Sequence, residues 1–476
     1  MKLYISIALI MLSFCLSAQQ ERQNFVFILV DDLGWTDLGY MGSDFHESPN
    51  IDSLSNHSLV FDNAYSSSSV CSPSRAAIMA GQHPARVDIT DWIPGRDPKN
   101  YSLLGPQDSD ELPLEELTIA EVLKSNGYST FFAGKWHLGG EGFLPDDQGF
   151  DTNIGGNHTG QPKGGYYAPY DNPQLPDGEE GEYLTDRLTQ ESIAYLRSIE
   201  EKPFCLFLNY YTVHTPIQPS KRHVAKFEKK LEGLNVEPLY EINADSKTNL
   251  KQQSPNYASM VYALDENIGQ LLKALKDNGL YDNTTIIFTS DNGSLTTLLA
   301  KYDYPIPTAV LPLRAGKGWL YEGGIRVPLL IKPAFYKGGQ RWINEPVVGH
   351  DFFPTMLSLA NAEKPEELTL DGQDLSVLME ENGVLDRKFI YWHYPHYHGS
   401  GWRPGAAIRQ GDWKLILFYE SNTVELYNLA EDISERNDIS ALYPDKVDFL
   451  KSNLIKLQDA MEAKRPVPNE AYEQKD

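Results

Sequence analysis

Apolar positions in this chain follow two alternating patterns, helical spacing and short continuous runs. Asn24–Val30 (NFVFILV) is a continuous apolar run, which predicts a buried strand. Residues 117–136, 183–210 and 258–293 each show helical spacing, then a glycine or proline, then a second apolar run. Gly279 stands where a helix C-cap is expected. This order predicts an α/β fold with a large, mostly parallel or mixed sheet sandwiched by helices.

The pattern changes near residue 385. Residues 389–397, 406–420 and 423–429 are short runs of alternating polarity, typical of an antiparallel sheet, and residues 443–464 have helical spacing. We therefore predict a large domain over 19–385 and a smaller C-terminal α+β subdomain over 386–476, with an antiparallel sheet and a helix.

The first eighteen residues, MKLYISIALIMLSFCLSA, have a lysine, an apolar run and a small final residue. This layout predicts a signal peptide over 1–18, cleavage near Ala18 and a secreted or periplasmic protein. The apolar run is short for a bilayer span, so no stable membrane insertion is expected. Lipid anchoring at Cys15 is the alternative, although the bulky Phe14 suits it poorly.

The chain is strongly acidic, with 41 Lys and Arg against 66 Asp and Glu and a formal net charge of −25. Such a charge disfavours binding to nucleic acid or an anionic membrane through general electrostatics. An anionic substrate must instead meet a local basic pocket.

Acidic and amide side chains follow two of the predicted strands. Asp31 and Asp32 follow the first strand, and Asp291 and Asn292 follow another. Ligands of open parallel sheets bind at the carboxyl ends of strands, and an all-oxygen set suits a hard cation, Ca²⁺ especially. Each pair alone is also a common turn or helix-cap sequence, so the prediction rests on their joint occurrence.

Cations and histidines recur at the same predicted edge. Arg75, Lys135 and Lys317 are candidates to surround an anion, and His137 and His214 are candidates to move protons. Together with a hard metal they indicate transfer or hydrolysis of a phosphoryl or sulfuryl group. The plainer alternatives are a surface turn at Lys135 and a buried structural histidine at His137.

The candidate nucleophile is Cys71, which precedes a predicted helix start and lies near Arg75. Cys205 lies in an apolar run and is predicted to be an inert core residue. A disulfide between Cys71 and Cys205 is the alternative. A thiolate is a poor partner for a hard metal, however.

Residues 71–81, CSPSRAAIMAG, resemble the signature of the type I sulfatases, a branch of the alkaline phosphatase superfamily. The segments FVFILVDDLGWTDLGYMG, GYSTFFAGKWHLG, VHTPIQP, FTSDNG and KGWLYEGGIRVPLLIK also resemble blocks of that family, in family order. Ala80-Gly81 departs mildly from the Thr-Gly that closes the signature.

The resemblance implies that a formylglycine-generating enzyme converts Cys71 to formylglycine. It also implies one Ca²⁺ ion, held by Asp31, Asp32, Asp291, Asn292 and the modified Cys71. One hydroxyl of the hydrated aldehyde would attack the sulfur of a sulfate ester. The implied roles of the other residues are charge stabilisation by Arg75, Lys135 and Lys317, protonation of the leaving oxygen by His214, and proton removal from the second hydroxyl by His137.

The resemblance to secreted bacterial polysaccharide sulfatases implies a sulfated carbohydrate of algal or host origin as substrate. His396, His398 and Arg403 are candidate contacts to it, and the tyrosines of the loop over 155–183 are candidates for stacking on sugar rings. The alternative for residues 392–405 is an aromatic hairpin packed between the domains. Two other functions stay open: a phosphate or phosphonate ester hydrolase of the same superfamily, and a non-catalytic protein that binds sulfated glycans.

Overall fold

The computed structural model describes residues 22–95, 100–199, 202–243 and 245–472. The predicted signal peptide over 1–18, with Cys15, lies outside the described residues. Within the described ranges, no helix combines the length and apolarity that crossing a bilayer requires.

An eight-stranded mixed sheet forms the centre of the molecule. Its strands, from one edge to the other, are Arg341–Ile343, Leu59–Phe61, Leu329–Lys332, Thr284–Ser290, Asn24–Val30, Phe204–Asn209, Ser129–Gly134 and Thr152–Ile154. The strand Leu329–Lys332 runs antiparallel to both of its neighbours, and the other neighbouring pairs are parallel. The predicted mostly parallel or mixed sheet is confirmed.

Both faces of this sheet are covered. Along Asn24–Val30, Val26, Ile28 and Val30 enter one apolar core, whereas Phe25, Phe27 and Leu29 enter another. The first core includes the helices Pro49–Ser55, Leu184–Ser198 and Pro255–Asp277. The second core includes the helices Cys71–Ala80, Ile119–Ser125 and Phe352–Ala360. Alternate side chains of a strand point to opposite faces, which explains how one continuous apolar run is buried on both sides.

The remaining elements of the large domain are short. The other α-helices are Pro84–Val87, Val224–Leu231 and Glu322–Ile325, and the 3₁₀ turns are Gly39–Met41, Pro145–Gln148, Gly349–Asp351 and Leu375–Met379. Tyr240–Asn243, Ser246–Asn249 and Thr297–Leu299 form a three-stranded sheet, and Ala64–Tyr65 pairs with Val347–Val348.

The C-terminal region forms a separate antiparallel sheet of four strands, as predicted. The strands are Ile390–Tyr394, Gly405–Gln410, Trp413–Phe418 and Thr423–Asn428. One face packs on the large domain through Trp392 and Ile416, and the other face packs on the helix Pro444–Ala460 through Ile408 and Leu415. The 3₁₀ turn Ser440–Leu442 precedes that helix, and Val467–Pro468 then pairs with Leu103–Leu104.

Candidate active site

Cys71 is the first residue of the helix Cys71–Ala80 and is 3% exposed. The serine-rich turn before it is held by side-chain bonds, because Ser74 Oγ accepts from Ser68 N and donates to Ser68 O, both at 3.0 Å. Arg75 lies one turn further along the same helix. The turn therefore fixes the start of the helix, and the helix aims Cys71 and Arg75 at the same region.

The three predicted carboxylates lie together at the ends of two neighbouring parallel strands. Val30 is in register with Ser290, so Asp31 and Asp291 emerge side by side. Asp32 adopts a left-handed backbone, with φ of 59°, and its N–H donates to Asp291 Oδ1 at 3.2 Å. This turn brings consecutive acidic residues to one place, and such sparsely populated backbone conformations concentrate at functional sites.

Each carboxylate faces one of the predicted cations. Lys135 Nζ lies 2.7 Å from Asp31 Oδ2. Lys317 Nζ lies 2.6 Å from Asp32 Oδ1. The Nε and Nη2 atoms of Arg75 both lie 2.8 Å from Asp291 Oδ2. The three predicted cations are thus brought together at the acidic cluster, one on each carboxylate.

Burial and these cations oppose each other in setting the charge of the acids. Burial raises the pKa of Asp31 well above its usual range, and the neighbouring Asp291 raises it further against the effect of Lys135. For Asp32, burial also acts to raise the pKa, but Lys317 and His214 outweigh it and hold the pKa below its usual range. Packing acids this closely is costly without further positive charge.

The donor atoms fit a hard cation. Asp31 Oδ1 and Asn292 Oδ1 are buried oxygens without a hydrogen-bond partner, although Asn292 Nδ2 donates to Asp32 Oδ1 at 2.7 Å. Atoms of Asp31, Asp32 and His214 all lie within 4.8 Å of one another. Unpaired buried acceptors are costly, and carboxylate and amide oxygens are the ligands that Ca²⁺ prefers, so these residues suit such an ion.

His137 lies against Cys71 with one nitrogen free to accept a proton. Its Nε2 is 2.6 Å from the carbonyl oxygen of Ile93, which only accepts, so Nε2 carries the ring hydrogen. Burial lowers the pKa of His137 well below its usual range, which keeps the ring neutral. The remaining lone pair is therefore on Nδ1, which lies 3.4 Å from Cys71 Sγ and 3.2 Å from Ser72 Oγ.

His214 lies on the other side of the acidic cluster. Its Nδ1 is 2.8 Å from the carbonyl oxygen of Thr215, and its Nε2 is 3.7 Å from Asp32 Oδ2. Burial, aided by Lys317 and opposed by Asp32, lowers the pKa of His214 to about 3. The Nε2 atom of His214 thus faces the acidic cluster.

The three predicted substrate contacts have different surroundings. His398 lies beside the site, because a Cβ added to Gly318, next to Lys317, would overlap its ring. His396 is 6% exposed, and its Nε2 is 2.8 Å from Thr90 Oγ1. Arg403 is paired with Glu420 at 2.6 Å. Only His398 of the three is thus brought to the acidic cluster by these contacts, and the aromatic-hairpin alternative describes the buried Trp392 and Trp402 well.

The structure corrects two further expectations. Tyr166, Tyr170 and Tyr183 of the loop over 155–183 are buried in a core of the large domain, so these three rings are not available for stacking on sugars, whereas Tyr167 is only half-buried. The disulfide alternative is also wrong, because Cys71 and Cys205 are both free, with Cys205 inside the strand Phe204–Asn209.

Sequence reasoning missed Ser72. Its hydroxyl accepts from Ile93 N at 3.0 Å and contacts His137 Nδ1, so it ties the nucleophile's helix to the histidine. The sequence signal that could have indicated this role is the position of Ser72 directly after Cys71.

Comparison with known proteins identifies the family of this chain. The family model described as Sulfatase matches residues 23–362, and the model described as N-sulphoglucosamine sulphohydrolase, C-terminal, matches residues 315–461. A protein named Sulfatase from Formosa agariphila is 30% identical, covering 89% of this chain and 85% of the relative. The N-acetylgalactosamine-6-sulfatase of Rattus norvegicus is 28% identical, covering 89% and 76%.

A solved structure is similar over nearly the whole chain. The crystal structure of Ps i-CgsB in complex with k-i-k-neocarrahexaose has a TM-score of 0.73 and 30% identity, covering 92% of each chain. Residues 23–362, which the Sulfatase family model matches, contain every segment that builds the acidic cluster. The chain belongs to the sulfatase family and is a sulfuric ester hydrolase.

Proposed function

We propose that this enzyme hydrolyses sulfate esters of a sulfated saccharide, using a formylglycine made from Cys71 and one Ca²⁺ ion. The observation that carries the proposal is the position of Cys71. It lies at a helix start, 3.4 Å from His137 Nδ1, on the helix whose Arg75 binds Asp291 of the acidic cluster. A nucleophile, a base and a cluster suited to a metal thus meet at one edge of the sheet.

Asp31, Asp32, Asp291, Asn292 and the modified residue 71 would hold the Ca²⁺ ion. The Cys71 Sγ stands where the oxygens of a hydrated aldehyde would be after modification by a formylglycine-generating enzyme. When present, the ion and the hydrated aldehyde supply positive charge for the sulfate oxygens and an oxygen nucleophile for sulfur.

The base role belongs to His137. Its neutral ring presents Nδ1 to residue 71 while Nε2 is held by the Ile93 carbonyl. We assign it the proton of the second hydroxyl, whose loss lets sulfate depart from residue 71.

The acid role belongs to His214. Its Nε2 faces Asp32, and the proton it donates goes to the sugar oxygen as the S–O bond breaks. A pKa of about 3 in the protein alone leaves the ring neutral at pH 7. A bound sulfate ester brings negative charge beside the ring and raises the pKa, so the ring takes up a proton from solvent when the substrate binds.

Arg75, Lys135 and Lys317 stabilise the developing negative charge. All three are held in place by carboxylates and are largely buried, so they are oriented before the substrate binds. Fixed charges in a water-poor site stabilise a transition state more strongly than the same charges in water.

The saccharide part of the proposal is supported by the names of the relatives, one an N-acetylgalactosamine-6-sulfatase and one a complex with k-i-k-neocarrahexaose. His398, beside Lys317, is the strongest of the three proposed contacts to the sugar. His396 and Arg403 remain proposed contacts to the saccharide. We also propose a secreted or periplasmic protein and a domain boundary at 385/386, in the segment before the strand Ile390–Tyr394.

The first test is mass spectrometry of the tryptic peptide 23–75 from protein made in its own host. An aldehyde in place of the Cys71 thiol is expected, together with sulfate release from sulfated saccharides that chelation abolishes and Ca²⁺ restores. An unmodified thiol in protein that still binds sulfated glycans would favour the non-catalytic alternative. Faster turnover of an aryl phosphate than of the matched aryl sulfate would favour the phosphate or phosphonate hydrolase.

A further inference from the structure

A wide cleft with a volume of about 1100 Å³ opens beside the site. Three segments line it, within residues 161–165, 215–219 and 295–304. Its volume lies slightly above the roughly 300–1,000 Å³ typical of small-ligand pockets. The cleft therefore has room for more than one sugar ring.

Each wall of the cleft begins close to a residue of the active site. Gly160, just before the first wall, packs on His137, since a Cβ there would lie 2.5 Å from Cε1 of that ring. The second wall begins at Thr215, directly after His214. The third begins at Leu295, three residues after Asn292. A saccharide whose sulfate ester lies in the active site can therefore extend into the cleft.

The third wall carries exposed aromatic and cationic groups. Tyr302 and Tyr304 are 43% and 42% exposed, and Lys301 Nζ lies 5.4 Å from the Tyr302 ring centroid. Tyr302 also lies beside Gly399, the residue after His398, because a Cβ on Gly399 would be 3.9 Å from its ring. Asp303 adds one acid to this wall.

The first wall, residues 161–165, carries a second cation. The Lys163 side chain is 65% exposed and lies 3.1 Å from Asp171. Lys163 and Lys301 are thus balanced by Asp171 and Asp303, so this part of a chain with a net charge of −25 is close to neutral. Exposed tyrosine faces suit sugar rings, and exposed ammonium groups suit sulfate substituents.

We propose that this cleft binds the sugar units beyond the sulfate ester that is cleaved. Tyr302 and Tyr304 stack on a ring, and Lys301 and Lys163 bind a second sulfate group on the same saccharide. The enzyme is then selective for oligosaccharides with more than one sulfate over small aryl sulfates. This inference rests on the proposed function and specifies its substrate class.

The test compares kcat/KM for a sulfated hexasaccharide, beginning with k-i-k-neocarrahexaose, with kcat/KM for a small aryl sulfate. In Tyr302→Ala and in Lys301→Gln, the ratio of hexasaccharide to aryl sulfate is expected to fall about 10-fold, mainly through a higher KM for the hexasaccharide. Lys163→Gln is expected to lower the ratio less, since its ammonium already pairs with Asp171.

Two lysines that do not line the cleft serve as matched controls. Lys446 Nζ lies 5.4 Å from the Trp413 ring centroid, the same distance as in the Lys301–Tyr302 pair. Lys337 lies 3.3 Å from Asp282 with a side chain 72% exposed, close to the Lys163–Asp171 pair. Lys446→Gln and Lys337→Gln are expected to leave the ratio unchanged.

An unchanged ratio in both Tyr302→Ala and Lys301→Gln overturns the inference. If the unaltered enzyme releases no sulfate from any ester, the proposed function fails, and the cleft is then judged by binding. In that case, calorimetry with k-i-k-neocarrahexaose compares Cys71→Ala with Cys71→Ala/Tyr302→Ala. Weaker binding by the double variant supports the cleft, and equal or absent binding rejects it.

Discussion

At the residue scale, the site depends on which atom of each side chain faces which partner. His137 has its hydrogen on Nε2 because the Ile93 carbonyl requires a donor, so Nδ1 is left to face Cys71. His214 is oriented the other way, with Nδ1 on the Thr215 carbonyl and Nε2 toward Asp32. The two ring nitrogens that face the site therefore lie at different positions, one beside residue 71 and one beside Asp32, which suits the proposed base role of His137 and the proposed acid role of His214.

Replacing His214 tests this assignment. In His214→Ala, kcat/KM for a sulfated sugar should fall about 10²–10⁴-fold, the usual contribution of a general acid. The loss should be far smaller for an aryl sulfate with an acidic phenol, because that phenolate leaves without a proton. Steady-state kinetics on both substrates checks it, with the exposed His57→Ala as control. Equal losses on the two substrates would contradict the acid role.

At the element scale, strand ends aim the catalytic side chains. Gly134 closes the strand Ser129–Gly134 with φ of 106°, and the next N–H, from Lys135, donates to the Asn209 carbonyl at 2.7 Å. A Cβ at position 134 would overlap that same carbonyl oxygen. The absence of a side chain therefore lets the chain turn tightly enough to place Lys135 on Asp31.

Gly134→Ala should lower the free energy of unfolding by about 3 kcal/mol or more, since backbone must move to relieve the overlap. Gly142→Ala is the matched control, because Gly142 also has a positive φ, of 86°, but has open space around its Cβ position. That variant should lose only about 1–2 kcal/mol, the cost of a left-handed backbone. Urea denaturation of both variants measures the two losses of unfolding free energy. Equal losses would show that the close approach of Gly134 to the Asn209 carbonyl does not affect stability.

At the scale of the whole molecule, a buried charge cluster joins the two domains. Lys414 of the C-terminal sheet lies 2.9 Å from Glu322 Oε1 and 2.8 Å from Glu435 Oε1, and all three side chains are inaccessible to solvent. Burial acts to raise the pKa of Glu322, but Lys414 and Arg326 outweigh it and lower the pKa to about 2. Burial raises the pKa of Glu435 to about 7.

This cluster predicts a pH-dependent stability. Between about pH 4.5 and 7 the folded chain keeps a proton on Glu435 that the unfolded chain has released, so stability falls as pH rises through this window. The effect is on the order of 3 kcal/mol. Glu435→Gln should flatten the plot of unfolding free energy against pH between these values, whereas the exposed Glu431→Gln should not. An unchanged slope in Glu435→Gln would reject the assignment.

The sequence by itself determined the kinds of element and the residues at their ends. The apolar run Asn24–Val30 predicted a central strand, and the acids after it and after Thr284–Ser290 predicted one cluster, because periodicity and strand-end position are local properties. The prediction that Tyr166, Tyr170 and Tyr183 stack on sugar rings was wrong, because the sequence of a tyrosine-rich loop does not show whether its rings face a core or solvent.

Only the tertiary structure decided which distant groups meet. Three features depend on packing between segments that are far apart in the chain. They are the antiparallel direction of the strand Leu329–Lys332, the ring nitrogen that His137 presents to Cys71, and the pairing of Lys317 with Asp32. The cleft lined by Lys163 and Tyr302 likewise has no sequence signature, because its walls come from three separate segments. Contacts of this kind follow from how the layers pack, which no local pattern encodes.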